Sequence, residues 1–455
     1  MLPLDPQSLR DRFTGRVILP DDPDYEAMRV VGAGGIDLRP AVIVRVADAV
    51  DVAEAIATAR ELGLELAVRS GGHSGAGHGT TDGGLVIDLR ELKSLEIDPD
   101  ARTAWAGSGL TAGEYTAAAA ERGLATGFGD TGSVGLGGLV TGGGIGYLSR
   151  RWGLTIDSLL AVEIVTADGE VLLADEKQHP DLFWAVRGGG GNFGVATRFK
   201  LRLHPLDGIV GGMLVLPATP QVVAGFIAAA DAAPEELTTI ANVMPAPPMP
   251  FLAEEHHGRL IVMGMMAWSG DPAQADAVYA PFRALAQPYA DMLRPMPYPE
   301  MFPPEDPDYH PTAVAHTMFV DRIGLEEAST IVERLTASDA SMRVAQLRVL
   351  GGAVARVPAE ATAYAHRDNS IMVNLAAFYD GEADRAIRQA WLDDFAAALD
   401  QGLPGAYVNF LGDEGPERVR AAYPRATWDR LAALKRRYDP DNLFRRNQNV
   451  PPAAA

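Results

Sequence analysis

Glycine is concentrated in one short part of this chain, and that concentration limits what the chain can fold into. The stretch 127–146 (GFGDTGSVGLGGLVTGGGIG) holds ten glycines in twenty residues, whereas the whole chain has 48 in 455. Glycine reaches positive φ at little steric cost, and its missing Cβ lets backbone amides approach a ligand closely. Successive amides in such turns form an anion-binding nest that suits a pyrophosphate. The segment therefore predicts either a cofactor-binding loop or a set of tightly packed turns.

A second glycine-rich segment, VRSGGHSGAG at 68–77, directly follows a predicted strand. One isolated glycine is more often explained by a tight turn than by a ligand. Two dense loops in one half of the chain favour a dinucleotide cradled between them. Gly142, Gly144 and Gly146 match a GxG pattern, but a Rossmann fingerprint needs a strand–turn–helix context. Here another glycine-rich loop precedes the pattern, so a Rossmann domain is not predicted.

Composition and charge exclude several classes of function. The formal net charge of −21 repels phosphate backbones and anionic membranes, so neither nucleic acid nor a membrane is an expected partner. Cysteine is absent, which excludes disulfides, thiol nucleophiles and cysteine-ligated metals. The nine histidines form no HExxH pair, so no metal site is expected. No apolar run reaches about 18 residues and the N-terminus has no signal-peptide core, so we expect a cytoplasmic protein.

The hydrophobic pattern predicts a mixed α/β first half and a second half of strands and helices in alternation. A β-α-β unit is expected from a strand at 41–47, a helix at 49–62 and a strand at 64–69. The expected strands of the second half are 208–216, 236–244, 259–268, 312–320, 341–349 and 370–379, and the expected helices are 220–232, 273–286, 325–337 and 383–400. This pattern suits a sheet with one face covered by helices.

Four segments, in this order along the chain, resemble one known family. They are RSGGHS at 69–74, the loop 127–146, DLFWAVRGGGGNFGV at 181–195, and YDPDNLFRRNQNV at 438–450. Together they resemble the berberine bridge enzyme-like flavoproteins of the vanillyl-alcohol oxidase, or PCMH-type FAD, superfamily, most closely its bacterial members. The segments extend over nearly the whole chain, so the resemblance is specific for fold and cofactor and much less so for substrate.

The resemblance implies a fold and a domain arrangement. The fold class is α+β, with a two-domain PCMH-type FAD-binding fold whose substrate domain is an antiparallel sheet covered by helices. The expected domains are an FAD-binding domain at 1–205 and a substrate-binding domain at 206–410. A C-terminal segment at 411–455 is expected to return to the FAD domain.

The resemblance also implies how FAD is held. The family's covalent 8α-histidyl bond to flavin falls on His73 of the SGGHS run. Many relatives add a bond from a cysteine, but that position is Thr131 here, so a second covalent bond is impossible. Val134 falls where plant relatives with Val are oxidases and those with Leu are dehydrogenases, which favours O2 as acceptor. An ordinary buried aliphatic role for Val134 is the alternative.

The predicted cofactor site draws on the two glycine loops, the segment around 194 and the C-terminal part of the chain. Its expected members are Arg69, Ser70, Gly71, Gly72, His73, Ser74, His78, Gly129, Asp130, Thr131, Gly132, Val134, Gly135, Gly138, Gly142, Gly143, Gly144, Gly146, Gly194, Val195, Asn409, Asn447 and Asn449. No metal ligand is among them.

Two residues are expected to act on the substrate. Tyr407, in the YVNF run that resembles the family's Y-x-N-[YF] segment, is the candidate proton acceptor. A tyrosine has a pKa of about 10, so nearby donors or positive charge would have to stabilise its phenolate. Arg348 and Arg367 are candidates for that role. Asn374 occupies a key polar position of the family seven residues after His366-Arg367. An amide cannot act as a base, so Asn374 is expected to orient the substrate, unless it is a hydrogen-bonded strand residue.

The expected function is that of an FAD-dependent oxidase. It would transfer a hydride from a C–H beside an OH or NH of a small organic substrate, such as a secondary metabolite, alkaloid or sugar, to flavin N5. O2 would accept the electrons and give H2O2. Two alternatives stay open, a flavin dehydrogenase with a non-oxygen acceptor and a non-catalytic flavin-binding protein. The expected partners are the substrate and O2, and the protein is expected to be a monomer or a homodimer.

Overall fold

A computed structural model describes residues 6–306 and 308–454 of the chain. The strands of the first half are β1 Arg16–Ile18, β2 Val42–Arg45, β3 Leu66–Arg69, β4 Leu85–Asp88, β5 Leu95–Asp98, β6 Thr103–Gly107, β7 Leu124–Ala125, β8 Leu159–Val165, β9 Val171–Asp175, β10 Val195–Arg202 and β11 His204–Pro205. Its helices are α1 Pro6–Arg10, α2 Tyr25–Arg29, α3 Ala49–Leu62, α4 Ala112–Ala120, α5 Leu136–Gly142, α6 Ser149–Trp152 and α7 Pro180–Val186.

The second half is built from longer elements. Its strands are β12 Ile209–Pro217, β13 Leu237–Pro245, β14 Leu260–Trp268, β15 Ala290–Asp291, β16 Arg294–Met296, β17 Ala313–Val320, β18 Arg343–Val349 and β19 Ile371–Phe378. Its helices are α8 Pro220–Ala232, α9 Ala275–Arg283, α10 Leu325–Ala337, α11 Ala353–Arg356, α12 Gly381–Leu399, α13 Pro416–Ala421 and α14 Arg425–Tyr438. Short 3-10 helices lie at Thr155–Asp157, Gly190–Asn192, Glu254–His256, Pro272–Gln274, Tyr298–Met301 and Val408–Phe410.

Among the described residues, the first half contains two larger sheets besides the two-stranded pair β11-β7. One has the order β1-β2-β4-β3, and β2 and β3 both pair in parallel with β4. The predicted β-α-β unit is therefore present, with β4 lying between its two strands. The other sheet, β5-β6-β10-β8-β9, is antiparallel throughout. Helix α3 is capped by the Asp48 side chain, and Gly63 follows its last residue with φ +63°.

The second half is one large antiparallel sheet in the order β15-β12-β14-β13-β18-β19-β17, with β16 paired to β12. Alternate residues of its central strands, such as Ala241, Leu347 and Val373, pack against the helices α8, α10 and α12 in one apolar core. The opposite face of the sheet carries Asn242, Gln346 and Asn374 instead, since successive strand residues point to opposite faces. The predicted α+β fold, an antiparallel sheet covered by helices, is confirmed.

The C-terminal part of the chain packs with the first half. Ala406, Val408, Leu431, Tyr438 and Val450 belong to the same apolar core as helices α4, α5 and α7. The domain boundaries at 205/206 and 410/411 stay a prediction, and Ala406, Val408 and Leu411 pack with the core of the first half. Limited proteolysis tests those boundaries.

One predicted loop is partly helical. The sequence predicts a loop over 127–146, but Leu136–Gly142 form helix α5. Leu136, Leu139 and Val140 are buried in the core of the first half, and that burial outweighs the poor helix propensity of the glycines between them.

Candidate active site

A cavity of about 430 Å³ lies between the first half of the chain and the returning C-terminal segment. Three glycine-containing segments form much of its wall, at 71–72, 135–138 and 189–191. Among the predicted site residues, those that line the cavity are Arg69, Ser70, Gly71, Gly72, His73, Ser74, His78, Gly129, Asp130, Thr131, Val134, Gly135, Gly138, Gly144, Gly194, Val195, Tyr407, Asn409 and Asn447. Residues almost four hundred positions apart thus share one wall.

The two glycine loops of the sequence touch each other at the edge of this cavity. A Cβ on Gly135 would lie 2.1 Å from the backbone N of Gly71, and one on Gly71 would lie 2.3 Å from the N of Gly135. The Ser70 hydroxyl donates to the Ser108 carbonyl (2.6 Å) and accepts from the Gly137 amide (3.1 Å). Glycine at both contact positions therefore lets the loops pack backbone to backbone.

Other glycines leave open space beside the cavity. A Cβ added to Gly138 or to Gly190 would meet nothing within 4 Å, and one on Gly191 would come only to 4.0 Å from Asn447. Gly190 has φ +66°, a conformation that side chains disfavour. The cavity therefore presents exposed backbone, as a large cofactor with a pyrophosphate requires.

Some of the predicted cofactor glycines lie off the cavity wall, where other protein atoms pack against them. A Cβ on Gly142 would lie 1.9 Å from Asn409, and one on Gly143 would lie 2.8 Å from the Tyr407 ring. Gly146 abuts the carbonyls of Phe128 and Gly129. These three glycines are not among the cavity-lining residues, and their small size lets Tyr407 and Asn409 approach the backbone. Gly132 likewise lies off the cavity wall, where a Cβ would come within 3.0 Å of Phe302.

His73 lies on the cavity wall at the end of a hydrogen-bonded chain. Its Nε2 is 3.0 Å from the Ser133 hydroxyl, and that hydroxyl donates to Glu305 at 2.6 Å. Burial lowers the pKa of His73 below its ordinary value, while the charge of Glu305 and the contact with Ser133 oppose that shift. The imidazole is therefore neutral at pH 7.

Arg69 and His78 both border the cavity, and Arg69 has protein partners of its own. The Arg69 guanidinium donates to Asp88 (3.0 Å) and to the Met28 carbonyl (2.6 Å), so it fixes the first glycine loop. Burial, helped by the nearby charge of Arg446, lowers the pKa of His78 to about 4. A neutral His78 offers hydrogen bonds to a ligand without adding charge.

The C-terminal segment is anchored by a buried ion pair. The Lys435 ammonium lies 2.7 Å from Asp439, and both side chains are fully buried. The same ammonium donates to the carbonyls of Asn192 and Phe444 (both 2.8 Å), which joins helix α14 to the glycine segment beside the cavity. Asn447 follows and donates to the Gly191 carbonyl (3.2 Å).

Two asparagines of this segment have buried oxygens to satisfy. The Oδ1 atoms of Asn447 and Asn449 have no hydrogen-bond partner within residues 6–306 and 308–454. Buried polar atoms normally have a partner, and Asn447 lies on the cavity wall, so its oxygen can accept from a bound ligand. Asn449 lies off that wall.

Tyr407 is buried at the cavity, with its ring beside the second glycine loop. Its hydroxyl oxygen accepts from the Gly144 amide (2.7 Å) and from Asn409 Nδ2 (3.2 Å). Burial raises the pKa of Tyr407 above its ordinary value, although these two donors and the charge of Arg348 act in the opposite direction. The phenol is therefore protonated at neutral pH and available to donate a hydrogen bond.

The two arginines considered as donors to Tyr407 are bound elsewhere. Arg367 is fully buried and forms a bidentate pair with Asp157 (2.7 and 2.8 Å). Arg348 donates to Asp130 (2.6 Å) and to the Ile145 carbonyl (3.2 Å). Sequence reasoning named their charge but could not identify carboxylate partners about two hundred residues away.

The face of the large sheet opposite its helices carries a polar row. Asn242, Gln346, Asn374 and Thr317 are paired in register on the neighbouring strands β13, β18, β19 and β17. Gln346 donates to Asn242 (2.9 Å) and accepts from Arg348. The buried oxygens Thr317 Oγ1 and Asn374 Oδ1 have no partner in the part of the chain that the structure describes. Asn374 does not line the cavity of about 430 Å³ but lies in this adjoining row.

Several cavity residues were absent from the predicted set. Gly189, Gly190, Gly191 and Asn192 form part of the wall, together with Arg446 and Gln448. The four consecutive glycines at 188–191 carry the same density signal as the two loops, so that argument could have found them. Arg446, which donates to the carbonyls of Gly77 and Thr80, has no comparable sequence signal.

The site fits FAD by its own chemistry. The wall combines open backbone at three glycine segments with an unpartnered amide oxygen of Asn447. The glycine segments would hold the pyrophosphate, and His73, Thr131 and Val134 border the same space. Among the described residues, there is no cluster of three acidic or histidine side chains that could hold a metal ion. No helix in that part of the chain is long and apolar enough to span a membrane.

Two family models match the chain. The model described as FAD binding domain matches residues 40–175, and the model described as Berberine and berberine like matches residues 406–451. The first covers both glycine loops, and the second covers Tyr407, Asn409 and Asn447.

Curated and solved relatives agree with these matches. The (R)-6-hydroxynicotine oxidase of Paenarthrobacter nicotinovorans is 31% identical over 457 residues, covering 96% of this chain and 97% of the relative. The xylooligosaccharide oxidase of Thermothelomyces thermophilus is 28% identical, covering 91% of this chain and 88% of that protein. The crystal structure of 6-hydroxy-D-nicotine oxidase from Arthrobacter nicotinovorans has a TM-score of 0.86 at 28% identity, covering 97% and 98% of the two chains.

Fold, cavity and relatives lead to one conclusion. The glycine-walled cavity, the helix-covered antiparallel sheet and the C-terminal segment are all features that the resemblance implied. The match to a relative extends over nearly the full length of both chains, so the similarity is not limited to an FAD-binding domain. The chain belongs to the berberine bridge enzyme-like family of FAD-linked oxidoreductases, in the vanillyl-alcohol oxidase superfamily.

Proposed function

We propose that this FAD-linked oxidoreductase is an oxidase of small organic molecules. Its substrate would carry an OH or NH beside the C–H bond that is broken, and dioxygen would be reduced to hydrogen peroxide. The names of two relatives, a hydroxynicotine oxidase and a xylooligosaccharide oxidase, support oxidase chemistry on compounds of this kind. Bound FAD supplies the hydride acceptor, and the protein supplies geometry and proton transfer.

The observation that carries this proposal is the Tyr407 hydroxyl on the cavity wall. It lies between the Gly144 amide and Asn409, both of which donate to its oxygen. Donors of this kind stabilise a phenolate, whereas burial opposes one. Because burial prevails, Tyr407 rests as a phenol and accepts the substrate proton more readily as the pH rises.

Asp130 is a second candidate for the proton acceptor. Its Oδ2 accepts from Arg348 at 2.6 Å, and its side chain is 22% exposed on the cavity wall. The Tyr407 phenol must lose its own proton before it can accept one from the substrate, so an alkaline increase of turnover would favour Tyr407 as the acceptor. The pH dependence of turnover therefore distinguishes Tyr407 from Asp130.

Asn374 is proposed to orient the substrate. Its buried Oδ1 has no hydrogen-bond partner among the described residues, and it lies in the polar row on the sheet. An amide oxygen accepts a hydrogen bond from a substrate OH or NH without removing the proton. Asn374→Ala is expected to raise KM more than it lowers kcat, because the contact exists in both ground and transition states.

Reoxidation by oxygen is the direct test of the oxidase proposal. The protein is reduced by light without air and then mixed with oxygenated buffer in a stopped-flow instrument. We expect rapid reoxidation with hydrogen peroxide as product. A Val134→Leu variant should reoxidise more slowly, because Val134 lines the cavity and the larger side chain narrows access. Val408→Leu, at another lining position, is the matched control.

Two other outcomes would replace the oxidase proposal. Reoxidation over minutes in air, with fast transfer to an added quinone or dye, would show a dehydrogenase. A flavin that no alcohol, amine, sugar or phenol reduces would indicate a binding protein instead.

We further propose that FAD is held by one covalent bond, at His73. The chain has no cysteine, and Thr131 occupies the cavity wall where relatives form the second bond. Acid precipitation should leave yellow flavin on the polypeptide, and His73→Ala should release it. Flavin retained by His73→Ala would rule out attachment at that residue.

A further inference from the structure

His73, Ser133 and Glu305 come from three separate parts of the chain and meet at the cavity. His73 lies in the first glycine loop, Ser133 in the second, and Glu305 in a proline-rich segment of the other half. The two hydrogen bonds span 60 and 172 residues along the chain. Neither Ser133 nor Glu305 has a role in the proposed turnover.

The Glu305 segment is held against the second glycine loop by packing. Phe302 lies near Tyr147 and Tyr298, with ring centroids 6.0 and 5.5 Å away. A Cβ on Gly132 would come to 3.0 Å from Phe302, a tight contact that glycine avoids. The close contact places Glu305, three residues after Phe302, beside Ser133, the residue after Gly132.

The direction of these hydrogen bonds determines which histidine nitrogen carries a proton. A hydroxyl has one hydrogen, and Ser133 donates it to Glu305. The Ser133 oxygen can then only accept from His73, so Nε2 carries the proton. In a neutral imidazole this leaves Nδ1 with a free electron pair.

We infer that Ser133 and Glu305 form a proton relay that prepares His73 to bond to the flavin. This inference rests on the proposed attachment at His73. The relay keeps Nδ1 unprotonated, so that Nδ1 can act as the nucleophile. Ser133 and Glu305 provide the acceptors for the Nε2 proton. Ser133 and Glu305 are thus positioning residues for cofactor attachment.

The relay fits a balanced attachment step. The 8-methyl carbon of the flavin loses a proton, and Nδ1 forms a bond to that carbon. The Nε2 proton passes to Ser133 while the Ser133 proton passes to Glu305. The two electrons released pass through the flavin to dioxygen, which takes up two protons and becomes hydrogen peroxide.

The inference is tested by the rate of flavin attachment, without any turnover of substrate. Full-length protein from flavin-starved cells is incubated with FAD in air, and acid-stable flavin on the polypeptide is measured over time. Glu305→Gln and Ser133→Ala should attach flavin about 100-fold more slowly at pH 7, since general-base assistance contributes at least about that factor.

The pH profile separates a relay from a structural role. In Glu305→Gln the Nε2 proton must leave to solvent, so the attachment rate should rise with pH, while the rate of the unaltered protein stays nearly flat. Glu300→Gln is the matched control, because Glu300 pairs with Arg294 and does not contact Ser133. Unchanged reversible FAD binding by each variant shows that the fold is intact.

Three results bear on the inference. Attachment by Glu305→Gln and Ser133→Ala at the unaltered rate would overturn the relay and leave attachment at His73 standing. Fully extractable flavin in the unaltered protein would overturn both the attachment and the relay. Slow variants with a pH-dependent rate would support the relay, whatever the reoxidation experiment shows.

Discussion

The two sides of the active site are built in different ways. On the FAD side, the wall is backbone, made from glycine segments 71–72, 135–138 and 189–191. On the side of the large sheet, a polar row of side chains adjoins the cavity without lining it. Asn374 and Gln346 are paired on neighbouring strands, and Arg348, on the same strand as Gln346, donates to Asp130 of the cavity wall. The glycine wall depends on the absence of side chains, whereas the polar row depends on the hydrogen-bond partners of its side chains.

This difference affects how each wall tolerates change. Where the two glycine loops touch, at Gly71 and Gly135, the backbone wall cannot accommodate a side chain, because an added Cβ would meet main-chain atoms that cannot rotate away. The polar row can lose one side chain and keep its shape, but the polar groups that were hydrogen-bonded to that side chain then have no partner. We therefore expect substitutions at the tightly packed glycines to destabilise the site through steric clashes. Substitutions in the polar row should destabilise it by leaving polar groups without hydrogen-bond partners.

The largest effect is expected from Gly135→Ala. Its Cβ would lie 2.1 Å from the Gly71 nitrogen, so the two glycine loops must separate. Overpacking of this kind costs about 3 kcal/mol or more. We expect little folded flavoprotein, measured as flavin content and thermal unfolding. Gly412→Ala, where a Cβ meets nothing within 4 Å, is the control. Normal flavin content in Gly135→Ala would contradict the rigid backbone wall.

Arg348→Met should have the next largest effect. Arg348 is 3% exposed and pairs with Asp130, so its loss leaves a mostly buried carboxylate without its partner. Breaking such a pair costs about 3 kcal/mol, somewhat less here because Asp130 reaches the cavity. Chemical denaturation measures the loss. Arg385→Met removes an exposed pair with Glu382 and should change stability by less than about 0.5 kcal/mol. Equal losses in both variants would refute the comparison.

Tyr407→Phe tests the buried phenol on the cavity wall. It leaves the Gly144 amide without its acceptor, which costs about 1–2 kcal/mol. Because burial raises the pKa of Tyr407, turnover of the unaltered protein should increase through the alkaline range, and the variant should lose that increase.

Tyr423→Phe provides the matched control for that variant. Tyr423 is also a buried phenol, and it donates to the Gly188 carbonyl at 3.1 Å. Its loss should lower stability by a similar amount without changing the pH profile of kcat. If turnover of Tyr407→Phe still increases at alkaline pH, another group accepts the proton, and Asp130 is the first candidate.

The smallest effect is expected from Gly138→Ala. Gly138 lies inside helix α5, where alanine is favoured over glycine by about 0.5–1 kcal/mol. Its Cβ would meet no protein atom within 4 Å but would enter the cavity. We expect equal or higher stability of the apoprotein and FAD binding weaker by about 1 kcal/mol, measured by flavin titration. Unchanged FAD affinity would place the cofactor away from Gly138.

Sequence reasoning was strongest where function requires local backbone. The loops around Gly71 and Gly135 were predicted to bind a cofactor, because their glycine density is visible without any partner. The same density also singles out Gly142 and Gly143, which lie off the cavity wall and leave room for Asn409 and Tyr407. Nothing local distinguishes a glycine that admits a ligand from one that admits a side chain from a distant part of the chain.

Sequence alone determined the class of this protein. Periodicity predicted the helix-covered sheet, and the four motifs implied an FAD-linked oxidoreductase with no second covalent bond, because Thr131 replaces a cysteine. Only the tertiary structure decided the partners, since Arg348 joins Asp130, Arg367 joins Asp157, and Glu305 reaches Ser133 and His73. The physical reason is range: glycine conformation and strand alternation are properties of neighbouring residues, whereas the state of a buried charge depends on groups that only folding brings together.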